Sequence, residues 1–386
     1  MADAYIVEAV RTPVGRRGGG LSQVHPVDLG AHIVRELVAR TGVDPTAIDD
    51  VIFGVVDQIG AQSTNVARTI ALGAGLPESV PAVTVDRQCG SSQQAVHFAA
   101  QAVRSGDMDL VVAGGVEVMS LIPIAASAFV GAEAGMGLPR ESQSWVDRYG
   151  EQEISQFRGA GLIAEEWSIT REAMEHWALQ SHQRAAAAID QGLFEQEIAP
   201  YGGVSTDEGV RRDTTRAKMA ALAPLVEGSR LTAAVSSQVS DGAAALLIAS
   251  ERAVREHGLR PIARVHTTAV VGSDPVRMLT GPIPATAKVL QRAGLTVDDI
   301  DAFEVNEAFA PVVLAWLAET GADPAKTNPL GGAIALGHPL GATGARLMTT
   351  MIHHLRRTGG RYGLQTMCEG GGVANATVIE ALQETP

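Results

Sequence analysis

VDRQCGSSQQAVHFAAQAV (residues 85–103) is the stretch on which the reading of this chain turns. The segment PAVTVDRQ that leads into it is an extended apolar run of the kind a buried strand leaves. From residue 91 onward, Ala95, Phe98, Ala99 and Ala102 recur at helical spacing. Cys89, one of only two cysteines in 386 residues, is therefore expected where a strand gives way to a helix. Unpaired amide N–H groups and the positive end of a helix dipole favour a thiolate over a thiol at such a place, so a nucleophile at neutral pH is expected. The competing expectation is a packing cysteine, the commoner fate of a lone thiol inside a reduced protein.

Outward from that turn, strand and helix alternate. The first part reads as strand AYIVEAV, a helix around 33–39, strand DVIFGVV, a helix around 66–72, strand AVTV, the Cys89 helix and strand LVVAGG. The later part repeats the order: strand PIARVHT, a helix around 285–293, strand IDAFEV, helix APVVLAWLAE, a short apolar GGAIAL, helix GATGARLMTTMIHHL and strand GLQTM. Alternation of this kind predicts an α/β fold with sheets covered on both faces. Two equivalent halves would put Cys89 and His338 in matching positions, each ahead of the third helix of its half, with VVAGG matching TMCEGGG.

Between the halves the rhythm breaks. GAEAGMGLPRESQSW is glycine-rich, and ITREAMEHWALQSHQRAAAA is a helix that Thr170 can cap, with Met174, Trp177, Ala178, Ser181 and Ala185 on one packing face. The segment DEGVRRDTTRAKM gathers Arg211, Arg212, Arg216 and Lys218 in an otherwise acidic chain, either as a solvated face or as an anion patch. The expected domains are 1–119 plus 238–258 as the first half, 120–237 as an insert and 259–386 as the second half.

Composition excludes several classes. A formal charge of −13 with 4% aromatic residues argues against a nucleic-acid surface, which needs clustered Lys and Arg. A hydrophobic content of 46% fills two or three globular lobes, yet no apolar run reaches the length of a membrane span. Neither a secretory signal at MADAYIVEAVRTP nor a targeting tripeptide in LQETP is read, so a reducing cytoplasm is expected. No metal site is expected either: His353 and His354 are adjacent on a helix, point to different faces and are assigned to the surface.

Three further stretches each end an expected strand: VNEAFA (305–310), GHPLGATG (337–344) and MCEGGG (367–372). In alternating folds that edge gathers the ligand-binding loops. With Cys89 they supply a nucleophile, a base in His338, a water-holding amide in Asn306, a second thiol in Cys368 and a glycine loop of backbone N–H donors.

Together with VEAVRTPVGR, GLP, VVAGGVEVMS, SSQVSDGAAA and GGAIALGHPLGATGAR, in that order along the whole chain, these stretches resemble the thiolases of 3-ketoacyl-CoA metabolism. The resemblance implies duplicated α/β/α halves in five layers (αβαβα) with an inserted CoA-binding loop domain. It makes Cys89 the acyl carrier, His338 its base, the N–H groups of Cys89 and Gly370 an oxyanion hole, Asn306 the holder of a second anion site with His338, and Cys368 the acid that protonates the leaving enolate. Ser237 and Arg211 match family positions near the pantetheine arm and the adenine end of CoA. Coenzyme A is then a co-substrate, no cofactor is permanently bound, and a homodimer or homotetramer is expected.

The implied reaction is thiolytic cleavage of a 3-ketoacyl-CoA to acetyl-CoA, or propionyl-CoA, and a shortened acyl-CoA. The rivals are a biosynthetic acetoacetyl-CoA thiolase, a catalytically silent acyl-CoA or lipid carrier, and a condensing ketosynthase. The last is disfavoured by the second cysteine. QFRGAGLIAEEW lacks the histidine that biosynthetic members often carry there, and CGSSQQA with SSQVSDGAAA looks closer to thiolases of sterol side-chain or other bulky acyl breakdown.

Overall fold

The computed structural model describes residues 2–383; Met1 and the last three residues of LQETP lie outside it. The first half comprises β1 (Tyr5–Arg11), β2 (Gly15–Arg16), α1 (Pro26–Thr41), β3 (Asp50–Gly54), α2 (Val66–Gly73), β4 (Ala82–Val85), α3 (Ser91–Ser105) and β5 (Leu110–Val118). Helices α4 (Ala126–Glu133), α5 (Gln143–Tyr149), α6 (Gln156–Glu166), α7 (Arg171–Asp190) and α8 (Arg216–Ala220) follow, then β6 (Ser240–Ala249) and α9 (Glu251–Glu256). The second half comprises β7 (Ala263–Gly272), α10 (Pro282–Ala293), β8 (Ala302–Val305), α11 (Ala310–Thr320), α12 (Ala333–Leu336), α13 (Thr343–Thr358), β9 (Tyr362–Glu369) and β10 (Val373–Ala381).

The strands hydrogen-bond in the order β4-β3-β5-β6-β1-β7-β10-β9-β8. Read from its two ends, this path is one order used twice. β3 and β8 correspond, as do β5 and β9, β6 and β10, β1 and β7, and a single parallel bridge from Phe303 to Thr327 stands where β4 stands in the first half. Among the described residues the strands of the two halves pair at Tyr5↔Arg264 and Ile6↔Ala263. Strands β5 and β6 are buried at every residue, which accounts for their continuous Val, Ala, Leu and Gly runs in place of alternation.

Five layers follow from which helices cover which face. Helices α1 and α2 cover the outer face of the first sheet through a cluster that includes Leu29, Ile33, Leu37, Phe53 and Ile70. Helices α10 and α11 cover the outer face of the second through Val289, Leu290, Phe303 and Trp316. Between the sheets, α3 and α13 pack together through Val96, Ala99, Met348 and Ile352. Because α13 is a middle-layer helix, His353 is buried and not at the surface as expected; its Nε2 meets the Ala9 carbonyl at 3.1 Å.

Where β9 and β10 are joined by the glycines 370–372, β5 and β6 are joined by everything between residues 118 and 240. The expected face of α7 is buried at Met174, Trp177, Ala178, Ser181 and Ala185. Thr170 caps the helix, its Oγ1 accepting from the Ala173 N–H at 3.2 Å.

Candidate active site

The chain turns sharply between β4 and α3. Gln88 takes a left-handed backbone at φ 49°, held by the Asp86 carboxylate, which accepts from its N–H at 2.6 Å. The Ser91 N–H donates to the Gln88 carbonyl at 3.0 Å, and the Ser91 hydroxyl accepts from the Arg87 N–H at 2.9 Å. Cys89 is thereby presented, half-buried, at the start of α3. It lines a cleft of about 310 Å³ together with Cys368, Gly370, Gln88, Ala308 and Leu340. Ile124, Ala125 and Ala128 also line it, on a segment tied down by Asp57, which accepts from the Ala125 and Ser127 N–H groups at 2.9 and 3.1 Å.

The thiol chemistry differs from the expectation raised by the helix terminus. Burial pushes the Cys89 thiol up to about 12, the charge of Glu369 adds to this, and the N–H groups of Cys89 itself and of Gly370 pull the other way. Desolvation outweighs the dipole because a thiolate here gives up part of its water and gains only a few amide donors. Cys368, buried at the end of β9, is raised well above the ordinary thiol value by burial, then by Cys89 and Glu369. Both cysteines are free thiols.

His338 and Asn306 are not among the residues lining the cleft, but Leu340 and Ala308, each two residues further along the chain, are. Both side chains are buried, with Asn306 Nδ2 3.3 Å from His338 Nε2. On the other side of the ring, Nδ1 lies 2.7 Å from the Thr343 hydroxyl, and that hydroxyl donates to the Pro339 carbonyl at 2.8 Å. Thr343 is thus left to accept, which assigns the proton to Nδ1 and the lone pair to Nε2. Burial, helped by the Arg346 charge, lowers His338 to about 3, so the imidazole is neutral at physiological pH.

Two buried carboxylates that sequence reasoning did not single out hold these loops. Glu117 on β5 accepts from the N–H groups of Val56 and Gly341, both at 2.9 Å, and from Gln62 Nε2 at 2.6 Å. Gly341 has no room for a side chain: a Cβ there would stand 2.7 Å from the Gly54 carbonyl oxygen and 2.8 Å from Glu117 Oε2. Glu307, next to Asn306, accepts from Trp177 Nε1 at 2.9 Å, Ser181 Oγ at 2.8 Å, Asn328 Nδ2 at 3.1 Å and the Ile334 N–H at 3.0 Å. The Trp177 and Ser181 face of α7 therefore packs and also positions. Both glutamates stood inside motifs quoted above, VEVMS and NEAF; their partners lie too far along the chain for spacing to disclose.

The remaining candidates sit apart from the thiols. Arg211 lines a separate cavity of about 200 Å³ with His182, Thr214, Lys218 and Gln238. Of the basic cluster, Arg212 pairs with Asp190 and Lys218 with Asp213. Ser237 bridges the two regions: its N–H donates to the Ala308 carbonyl at 2.9 Å, and its neighbour Gln238 reaches the Arg211 cavity. Among the described residues no group of three or more His, Cys, Asp or Glu side chains could hold a metal ion, and no helix is long and apolar enough to cross a membrane.

Comparison with known proteins gives a consistent picture. Residues 4–252 match the thiolase N-terminal domain and residues 259–381 the thiolase C-terminal domain. The chain is 62% identical to the steroid 3-ketoacyl-CoA thiolase FadA6 of Mycobacterium tuberculosis, over 99% of this chain and 95% of that one. It is 43% identical to a 3-ketoacyl-CoA thiolase of Citrobacter koseri, over 99% and 100% of the two chains. The crystal structure of the Bacillus anthracis acetyl-CoA acetyltransferase superposes with a TM-score of 0.88 at 36% identity, covering 99% of each chain.

Proposed function

The chain belongs to the thiolase family, and on that premise we propose a ping-pong cycle carried by Cys89 and a preference for bulky, ring-bearing acyl groups. Thiolytic cleavage of a 3-ketoacyl-CoA by CoA is its reaction, and the enzyme is an acyltransferase. The observation that carries the cycle is the cleft: two thiols and the Gly370 loop line it together, and two backbone N–H groups act on the Cys89 sulfur.

In this cycle Cys89 attacks the 3-keto carbon while its proton passes to His338. With the thiol high and the imidazole low, thiolate does not accumulate beforehand, and proton transfer accompanies attack. The Cys89 and Gly370 amides receive the tetrahedral oxyanion; one such donor is typically worth about 3 kcal/mol. The C2–C3 bond then breaks, its electron pair leaving as the acetyl-CoA enolate. That charge is met by His338 with a water held by Asn306, and Cys368 delivers its proton to C2. In the second half, an incoming CoA thiol gives its proton to Cys368 and its sulfur attacks the acyl group. Cys89 departs and recovers its proton from His338. Ser237 and Arg211 hold the pantetheine and adenine ends of CoA.

The acyl preference rests on the 62% identity to a relative named for steroid substrates, with Ala125, Ala128 and Ala308 contributing small side chains to the cleft lining. A cytoplasmic setting fits a mechanism that needs both cysteines reduced, and a homodimer or homotetramer fits the free edge of β4. The test is thiolysis of a 3-ketoacyl-CoA series from acetoacetyl to ring-bearing acyl groups. The highest kcat/KM is expected with a ring-bearing substrate; best turnover with acetoacetyl-CoA would favour the biosynthetic reading, and none with any substrate the silent carrier.

A further inference from the structure

Cys368 is followed by a residue that the cycle above does not use. Glu369 ends β9, and alternation along the strand turns its side chain away from Cys368, beneath the start of α3. The contact there is close: a Cβ added to Gly90 would stand 1.8 Å from Glu369 Oε1 and 2.6 Å from its Cδ. Gly90 is the residue that links Cys89 to the helix. On the same side Asn375 Nδ2 stands 2.9 Å from that Cβ position and donates to the Gly90 carbonyl at 3.2 Å, so the nucleophile turn rests on a floor made by Glu369 and Asn375.

Glu369 is fully buried, and neither carboxyl oxygen completes a hydrogen bond among the described residues. The Asn375 backbone N–H and the Arg87 charge lean on it without bonding to it. The titratable and charged groups near enough to feel its charge or to act on it are Arg87 and Asp86 from the turn, Cys89, and Cys368 on its own strand. An ionised carboxylate with no donor is costly in such a place. It would also oppose every anion the reaction forms nearby: the Cys89 thiolate, its oxyanion and the Cys368 thiolate.

We propose that Glu369 is a positioning residue whose carboxyl works in the neutral, proton-bearing form, filling the space under Gly90 so that Cys89 is held in place without a third negative charge beside the two thiols. Burial sets the protonation, raising Glu369 to about 8, with Arg87 opposing. Since the protonated form is the competent one, activity is full below that value and falls as pH rises through it.

The inference rests on acyl transfer through Cys89, and the experiment has one arm that does not. Thiolysis is followed from pH 6.5 to 9.5 for the wild type, Glu369→Gln and Glu369→Ala. The ratio of Glu369→Gln to wild-type kcat is expected to be near one at pH 6.5 and to climb to about tenfold at pH 9, where about a tenth of the wild-type carboxyl stays neutral. Glu369→Ala, which removes the floor, loses activity at every pH. A pH-independent ratio, or Glu369→Gln as impaired as Glu369→Ala, overturns the proposal. The second arm is infrared difference spectroscopy of wild type minus Glu369→Gln without substrate. A protonated-carboxyl carbonyl band at pH 7 that is lost above pH 9 is expected, and its absence at pH 7 overturns the proposal whatever Cys89 does.

Discussion

His338 Nε2 faces Asn306 Nδ2 at 3.3 Å, and both side chains are buried. The pair joins two loops that lie 32 residues apart in the chain, each following an element of the second half. Its polarity is fixed from behind: Thr343 accepts from Nδ1, so Nε2 keeps its lone pair. In the proposed cycle Asn306 holds the water of the second anion site, and Asn306→Ala removes that amide. A loss of about 10²–10³ in kcat is expected, as for other donors of this kind. Thr343→Val, which frees the tautomer, costs on the order of tenfold. Steady-state thiolysis checks both; values within about twofold of wild type for Asn306→Ala remove that residue from the chemistry.

The resting thiol is the second point of test. Because burial drives Cys89 up to about 12, its reaction with iodoacetamide, which consumes thiolate, should keep rising with pH beyond 9 in a Cys368→Ser background. A rate that levels off near pH 7 means that the helix terminus prevails over burial and that the thiolate is formed in advance.

Glu307 carries the prediction on stability. It accepts four hydrogen bonds, two of them from α7, and so fastens the segment between β5 and β6 to the loop that bears Asn306. Glu307→Ala strands these buried donors and should destabilise the fold by about 3 kcal/mol, with kcat falling alongside. Denaturant unfolding and thiolysis measure the two effects; a change below about 0.5 kcal/mol leaves the network without the anchoring role given to it.

Most of the element order of both halves, the turn at Cys89 and the motif loops were legible in the sequence, because apolar periodicity and glycine spacing are local signals; GHPLGATG, read as ending a strand, follows the helix α12. β6 and β10 were not read as strands: SDGAAALLIA is buried throughout and VANATVIEA at all but its first residue, and a strand covered on both faces shows no alternation. The helix start at Cys89 was legible, but its acidity was not, since burial is set by residues far along the chain. The same holds for Glu117, Glu307 and Glu369, whose partners come from other loops, and for His353, whose middle-layer position depends on how the two sheets stack. Arg211 and Ser237 were legible only through family resemblance, and they lie along a separate cavity and the ground between.

The proposed assembly is argued from the strand path. Among the described residues β4 is an end strand paired with β3 alone, and Val83 on it is 41% exposed. An edge of this kind is open to pairing with a second copy. At micromolar concentration, sedimentation should give at least twice the 40.2 kDa chain mass, and Val83→Lys should weaken the association. A wild-type mass near that of one chain contradicts the dimer.

The most direct test of the cycle is to trap its covalent intermediate. Incubation with a 3-ketoacyl-CoA in the absence of free CoA, followed by acid quench and peptide mapping, should place an acyl adduct on the peptide that contains Cys89, in an amount near one per active chain. Cys89→Ser should carry none and should not turn over. An adduct on Cys368 alone, or sustained turnover by Cys89→Ser, would contradict the assignment of Cys89 as the acyl carrier.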